Sequence, residues 1–446
     1  MVAAVGAFWT SHGRAVMSNR GNLAHLIRAG ACLVTLAIPA AAADDPPQTS
    51  AIDEARQNAR LHAGPLYATP TVQLKEFGID SNVFNTYGDQ QKSDFTFTVA
   101  PKADIWLPIA KRALIQATTA SDLVWYEKYA GERSVDPQVA LRGELYLHRI
   151  TFFTEGGYVN TRQRPNQEID LRARHIEKSA TAGFNVSLTP EMSIEIAGHE
   201  LSTRYDAAAE YNNTSLQRTL NRDTQGIELK VRYRLTALTS LAVRSDVTRD
   251  LFTMSPDRNS ESIRVMPGIE FKPRALISGS AYVGYRAFRA SQPDALPDFK
   301  GLVAQLGLSY TLLGSTVFGV SYNRDLTYSY DELQPFFVDD SVGASVRRAI
   351  GRRFDTLVSA DRHAYAYRNL LTGGPIASGP LLGGQPPVPN APRIDVTWTY
   401  AASVGYRVGR DGRIAFGASY WQRDSTTESF RNYNNLRFGS SMSFGF

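Results

Sequence analysis

Residues 227–235 read Ile-Glu-Leu-Lys-Val-Arg-Tyr-Arg-Leu, so that apolar and charged side chains take strict turns along the chain. The stretches 302–312 and 394–408 alternate in a similar way, with polar or small residues mostly in place of the charges. Side chains of a β-strand point to opposite faces in turn, so each stretch forms a strand with one apolar and one polar face. The pattern predicts an all-β protein whose strands separate an apolar environment from water.

The length and punctuation of these strands indicate a membrane barrel. They run for about 10 residues or more, which in a tilted strand spans an apolar band of about 25 Å. Short turns, such as 188–192 and 271–275, alternate with long polar stretches. We therefore predict a closed antiparallel transmembrane β-barrel of about 18 strands, with short periplasmic turns and long outer loops. A count of about 16 stays open, because 67–77 and 354–367 alternate poorly.

Two further features of the strands lead to predictions. Pro101 and Pro267 lie inside strands, on the apolar face, and proline cannot donate to a ladder, so we expect a local bulge at each. Aromatic residues collect at strand ends and are expected to form girdles at the two membrane interfaces. These residues are Trp106, Trp125, Tyr126, Tyr146, Tyr158, Tyr205, Tyr365, Tyr367, Tyr420 and Trp421.

The N-terminal region reads as a secretory signal. Arg20 and Arg28 precede an apolar run that ends in small residues before Asp44. This order predicts a signal peptide over residues 1–43, followed by a short periplasmic arm over 44–65 and the barrel over 66–446. The single cysteine, Cys32, falls inside the signal, so the mature chain is expected to form no disulfides.

Charge and composition argue against several classes of protein. The net charge of +5 is spread along the chain rather than clustered, so no nucleic-acid partner is expected. The histidines are scattered, and no nucleophile, carboxylate pair or ligand set has the spacing of a catalytic or metal site. We therefore expect no catalytic residue, no metal, no cofactor and no enzymatic activity.

Strand alternation assigns a set of charged side chains to the inner face. The clearest are Lys102, Asp104, Asp122, Arg142, Glu144, Glu195, Glu228, Lys230, Arg232, Arg234, Arg244, Asp246, Arg264, Glu270, Arg286, Arg407 and Arg437. A barrel of about 18 strands has room for an aqueous channel, and the small basic excess favours an anionic solute or an acidic polysaccharide. The alternative is that mixed charges only hydrate and brace the wall.

The loop Asn369–Pro392 is long, uncharged and rich in glycine and proline. Loops of this length are usually functional or disordered. Because its apolar residues need cover, we put forward the hypothesis that it folds over or into the lumen and narrows the pore. A flexible outer loop is the alternative.

The segment Gly78–Asn85, which reads Gly-Ile-Asp-Ser-Asn-Val-Phe-Asn, carries a resemblance to a known family. This element, with the strands that carry Pro101 and Pro267, resembles the putative β-barrel porin 2 family of outer-membrane proteins. The closing Ser443–Phe446 resembles the recognition strand of outer-membrane barrels in general, which makes Phe446 the expected assembly signal. The resemblance implies the Gram-negative outer membrane, contacts with its lipid and with the barrel-assembly machinery, and a link to exopolysaccharide production.

Two classes of function follow from these observations. The first is an outer-membrane, porin-like channel that serves exopolysaccharide export or solute diffusion. The second is a non-transporting scaffold or surface adhesion barrel with a filled lumen. The arm 44–65 is too short for a folded plug domain, which argues against an energised transporter.

Overall fold

The alternation of residues 227–235 corresponds to two faces with opposite exposure. Ile227 and Tyr233 are 64% and 50% exposed, whereas Lys230 between them is buried. Apolar side chains outside and charged side chains inside are the arrangement that a lipid environment selects. The structure is a computed structural model that describes residues 52–53, 56, 59–110, 112–273, 275–292, 296–370, 393–409 and 412–445.

Eighteen strands of 12 to 16 residues form the barrel. In chain order they are β1 Leu66–Asp80, β2 Asp94–Ile109, β3 Ala113–Tyr126, β4 Ser134–Tyr146, β5 Ile150–Thr161, β6 His175–Ser187, β7 Met192–Tyr205, β8 Arg222–Arg234, β9 Thr239–Phe252, β10 Ser260–Phe271, β11 Ile277–Ala290, β12 Phe299–Leu312, β13 Thr316–Tyr328, β14 Phe336–Ile350, β15 Phe354–Arg368, β16 Ile394–Val408, β17 Gly412–Ser425 and β18 Tyr433–Gly445. One further strand, Leu61–Ala63, pairs antiparallel with the start of β1.

The strands close into a ring. Each pairs antiparallel with the next, and β1 pairs with both β2 and β18. Val72 of β1 lies opposite Pro101 on one side and Phe444 on the other. Closure removes the edge strands that an open sheet would expose. The predicted closed antiparallel barrel is confirmed with 18 strands, and the alternative count of 16 is wrong.

The connections differ between the two ends of the barrel. One end, called the turn end, holds the short connections 110–112, 147–149, 188–191, 235–238, 272–276, 313–315, 351–353 and 409–411. The other end, called the loop end, holds the longer ones: 81–93, 127–133, 162–174, 206–221, 253–259, 291–298, 329–335, 369–393 and 426–432. The loops contain the α-helix Leu216–Leu220 and the 3-10 helices Gly88–Gln90, Ala130–Glu132, Pro256–Arg258 and Ser429–Arg431, with short strands at Glu210–Tyr211 and Thr214–Ser215.

The prediction of a bulge at each strand proline is wrong. The pairing register is the same before and after Pro101 and Pro267, with two residue pairs missing on one side of each proline. A missing N–H therefore opens the ladder locally without an inserted residue. The described strands shift register instead in β1, where Lys75 and Glu76 form a bulge and Glu76 has a φ of 53°.

The strand-end aromatics do not form the expected girdles as a group. Trp125 is exposed on the outer face, at 43%. Six of the others are buried on the inner face: Tyr126, Tyr146, Tyr205, Tyr365, Tyr367 and Trp421. Tyr205 packs in a cluster with loop residues, Tyr146 packs against Ile52 of the arm, and Tyr365 and Tyr367 pack against Phe337.

No helix among the described residues is long and apolar enough to cross a membrane. The predicted signal peptide, residues 1–43, and the assembly residue Phe446 lie outside the described residues.

Candidate channel lumen and the loop that crosses it

Charged side chains on the inner wall are tied into small networks. Glu270 of β10 accepts from Lys230 at 2.6 Å and from Arg232 at 2.7 Å, both on β8. Arg264 of β10 and Arg286 of β11 both contact Asp325 of β13, each at 2.7 Å. These contacts join strands that are not neighbours, so they brace the curvature of the wall.

The other predicted lumen residues lie on the same face but in separate places. Lys102 pairs with Asp104 at 2.8 Å, Arg142 with Glu144 at 2.5 Å, and Arg244 with Glu228 at 3.4 Å. Arg234 and Arg407 lie near the turn end, on β8 and β16. The predicted lumen residues therefore form several local groups around the wall, and their contact with a solute stays a prediction.

The connection Arg162–Arg174, between β5 and β6, is called the crossing loop because it spans the interior. Its turn forms locally: the side chain of Asn166 accepts from the backbone N–H groups of Glu168 and Ile169, at 2.9 and 3.0 Å. Gln163 near its start donates to Asp122 of β3 at 3.1 Å. Residues 167–170 are buried, which is unusual for a loop of charged and polar residues.

Strands half a ring away from β5 and β6 hold the crossing loop. Thr397 of β16 and Tyr365 of β15 donate to the amide oxygen of Gln167. Arg423 of β17 donates to the Gln167 and Glu168 carbonyls at 3.4 and 3.0 Å, and to the Asp170 carboxylate at 2.9 Å. Contacts on opposite walls mean that the loop crosses the lumen rather than covering its rim.

The arginine that anchors the loop is itself held by a buried charge cluster. Arg423 and Arg393 are 0% and 1% exposed, and both donate to Asp395 at the start of β16. Arg393 also lies 3.7 Å from Asp331 and 3.4 Å from Glu428. Buried charges need such partners, so loss of one member would leave an uncompensated charge.

Three loops pack together over the loop end. The apolar cluster consists of Ile169, Ala173, Tyr205, Ala209, Leu216, Leu220 and Tyr330. It joins the crossing loop to 206–221 and 329–335. The crossing loop is therefore supported from above by an apolar core as well as from the opposite wall.

Glu168 is the buried titratable group of the crossing loop. Its carboxylate accepts from Ser329 at 2.5 Å and from the Tyr330 N–H at 3.4 Å. Burial raises the pKa of Glu168 to about 7, although Ser329 and the nearby Arg393, Arg431 and Arg423 pull it down. Its charge in the docked loop therefore changes near neutral pH.

Sequence reasoning missed this loop and its anchors. The alternation of residues 394–408 puts Asp395 and Thr397 on the polar face, and the same rule applied to β17 puts Arg423 there. Gln167, Glu168 and Asp170 carry no periodic signal. A weak hint was the apolar Ile169 and Leu171 inside a charged loop.

The hypothesis about Asn369–Pro392 is largely untested, because residues 371–392 lie outside the described residues. Asn369 accepts from Gln334 at 2.8 Å, and the Leu370 N–H donates to Leu333 at 3.0 Å. These two contacts join its first residues to loop 329–335.

The arm before the barrel reaches the inner wall at the turn end. Ile52 is 2% exposed and packs with Leu114, Tyr146 and Trp106. These partners lie on β2, β3 and β4, so a part of the arm occupies one side of this mouth.

Three solved structures illustrate the likeness to known proteins. A BenF-like porin from Pseudomonas fluorescens Pf-5 is 10% identical, with 86% of this chain and 99% of that chain covered and a TM-score of 0.47. OpdQ of Pseudomonas aeruginosa is 10% identical over 85% and 98% of the two chains, with a TM-score of 0.45. The outer membrane protein opdK of Pseudomonas aeruginosa is 9% identical over 85% and 98%, with a TM-score of 0.45.

No curated protein sequence matches the chain. A family model matches residues 60–444, which is nearly the whole barrel. The resemblance seen at Gly78–Asn85 and in the proline-bearing strands is confirmed by that match, and the chain belongs to the Putative beta-barrel porin 2 family.

Proposed function

We propose that this protein is a channel of the Gram-negative outer membrane that passes small solutes through a lumen narrowed by the crossing loop. The observation that carries the proposal is a charged inner wall in a closed barrel of 18 strands, crossed at one level by Arg162–Arg174. Barrels of this size enclose an aqueous channel, and rings of charge in such a channel set solute preference.

Exopolysaccharide export is a finer candidate that the family resemblance suggests. A polymer chain would have to pass the crossing loop, which would first have to leave its contacts with Tyr365, Thr397 and Arg423. Diffusion of small solutes needs no such movement. We therefore favour a small solute as the ordinary cargo.

The second candidate function is a non-transporting scaffold. The apolar cluster that joins three loops, and the buried cluster around Arg393 and Arg423, favour a lumen that is closed at the loop end. In that case the barrel would present its outer loops without conducting.

Conductance of the refolded full chain in a planar lipid bilayer distinguishes the channel from the scaffold. The channel predicts steady, discrete current steps, with detergent lacking protein as the blank and heat-denatured protein as the matched control. Silence of correctly folded barrels over the accessible range of voltage and pH would overturn the channel and favour the scaffold.

A further inference from the structure

Four charged side chains of the inner wall come together near the turn end, on four successive strands. Arg347 lies on β14, Asp355 on β15, Arg407 on β16 and Arg413 on β17. Neighbouring strands are about 4.8 Å apart, so these residues fall within a patch about 14 Å wide. We call this group the turn-end patch.

Position along the strands places the patch inside the barrel. On β14, Asp339 and Ser341 are buried on the face of Arg347, whereas Val342 and Val346 on the other face are 46% and 40% exposed. On β16, the inner positions Asp395, Thr397, Thr399 and Ser403, which share the face of Arg407, are all buried. The guanidinium groups therefore face the lumen and not the lipid.

The one carboxylate of the patch is engaged by one arginine. Arg413 donates to Asp355 at 3.0 and 2.5 Å, reaching across the intervening strand β16. Gly405 lies on that path, and a Cβ there would come within 2.3 Å of the Arg413 Nη2 atom. Glycine at this position thus leaves room for the Arg413 side chain to lie flat against the wall.

The other two arginines have no carboxylate partner among the described residues. Arg407 lies directly opposite Arg413 in the strand register, and like charges in that position repel each other. The charged groups that act on Arg347 are Asp355, Arg413 and Arg407. The four side chains of the patch are three guanidinium groups and one carboxylate, so among the described residues the patch has a net charge of two positive units.

A buried hydroxyl on the same face has no hydrogen-bond partner among the described residues. Ser403 is 6% exposed, and its Oγ makes no hydrogen bond among the described residues. Ser403 lies two residues from Gly405 on the inner face of β16. It pairs with Leu357 of β15, which in turn pairs with Arg347 of β14. The patch thus offers a hydroxyl beside its guanidinium donors.

We propose that the turn-end patch binds an oxyanion with two negative charges, of the phosphate or sulfate type, either free or carried on a solute. Two positive charges match such a group, and guanidinium forks donate to oxyanions in pairs. The inference rests on the proposed channel, because it names the solute class that the lumen selects. The group comes from the lumen and not from a lipid headgroup, since the patch faces inward.

The charge of the turn end supports this assignment. Among the residues that the structure describes, the short connections carry Arg112, Arg149, Lys272, Arg352 and Arg353, against the acidic Glu191. A mouth with this excess of positive charge concentrates anions before they reach the wall. The patch lies just inside it.

Binding of inorganic phosphate to the refolded full chain in lipid-free detergent tests the site without requiring conduction. Titration calorimetry at mildly alkaline pH and constant ionic strength would compare the parent chain with Arg347→Gln, Arg407→Gln and Arg348→Gln. Arg348 is the matched control, because it is exposed and adjacent to Arg347 but on the outer face. Heat-modifiable migration on gels confirms folding of each variant.

We expect Arg347→Gln and Arg407→Gln each to weaken phosphate binding by about tenfold or more, as loss of a charge-assisted hydrogen bond does. Arg348→Gln should leave the affinity within about twofold of the parent. Equal affinity in all four folded proteins, or no phosphate binding by the parent, would overturn the site. Phosphate binding by a barrel that never conducts would instead overturn the channel and leave the site standing.

Discussion

Arg423 is the residue on which docking of the crossing loop depends most. It donates to two carbonyls and one carboxylate of the loop while it is also paired with Asp395. Removing one partner from a buried charged cluster costs about 3–5 kcal/mol. Because the loop contacts only the wall and other loops, that cost falls on its docking and not on the barrel ladder.

We therefore predict that Arg423→Gln exposes the crossing loop to trypsin, which cleaves after arginine. Cleavage within Arg162–Arg174 should be about tenfold faster or more than in the parent chain, with the barrel still heat-modifiable. Arg249→Gln is the control, because the Arg249–Glu261 pair at 3.5 Å is exposed. A loop that stays as resistant as in the parent would show that Arg423 is not its anchor.

Glu168 makes docking depend on pH. Burial raises its pKa to about 7 in the docked loop, whereas an exposed glutamate has a pKa of about 4.3. The protonated carboxyl therefore stabilises the docked loop fully below about pH 4.3, and this stabilisation is lost as the pH rises through about 7. Besides Arg393, Arg423 and Arg431, the tyrosines Tyr205, Tyr330 and Tyr367 and the arginine Arg258 surround this carboxyl.

The expected result is a single-channel conductance that falls on acidification from about pH 8 to about pH 6, as the loop docks more firmly. Glu168→Gln should remove most of this dependence and hold the lower conductance. The exposed Glu261→Gln should keep the parent profile. A Glu168→Gln channel with an unchanged pH profile would exclude this carboxyl as the titrating group.

Strand β1 shows why one element was difficult to recognise from sequence. Lys75 faces inward and pairs with Asp122 at 2.9 Å, and Asp80, five residues later, is also buried on the inner face. The bulge at Lys75 and Glu76 adds one residue, so the alternation changes phase within the strand. Where the register is regular, as in β8, alternation alone assigned both faces.

The register of β8 gives a paired test. Leu229 is 40% exposed near the middle of the strand, so Leu229→Arg should cost about 2–4 kcal/mol of folding free energy in lipid. Arg232→Leu on the other face should have a small effect, because Lys230 still pairs with Glu270 at 2.6 Å. The free energies come from denaturant titration in liposomes. The opposite order of sensitivities would mean that the strand is shifted by one residue.

For the molecule as a whole, the barrel wall could be predicted from sequence, but the loop that crosses its lumen could not. Alternation, strand length and the spacing of turns are local properties, and they led to a closed barrel of 18 strands. Docking of the crossing loop depends on Arg423 and Thr397, which lie more than 200 residues further along the chain. No local pattern reports such contacts, so the sequence predicted a constriction in the longer and uncharged loop 369–392 instead.

The measurement that bears most directly on the account is the single-channel conductance of a barrel whose crossing loop is shortened. Residues 163–173 would be replaced by a short glycine-serine linker, and the control would carry glycine and serine in place of Gly88–Gln90, a tip of loop 81–93 with no buried residue. If the crossing loop narrows the lumen, the shortened barrel should conduct severalfold more than the parent, and the control should match it. A folded, shortened barrel with the conductance of the parent would contradict the account.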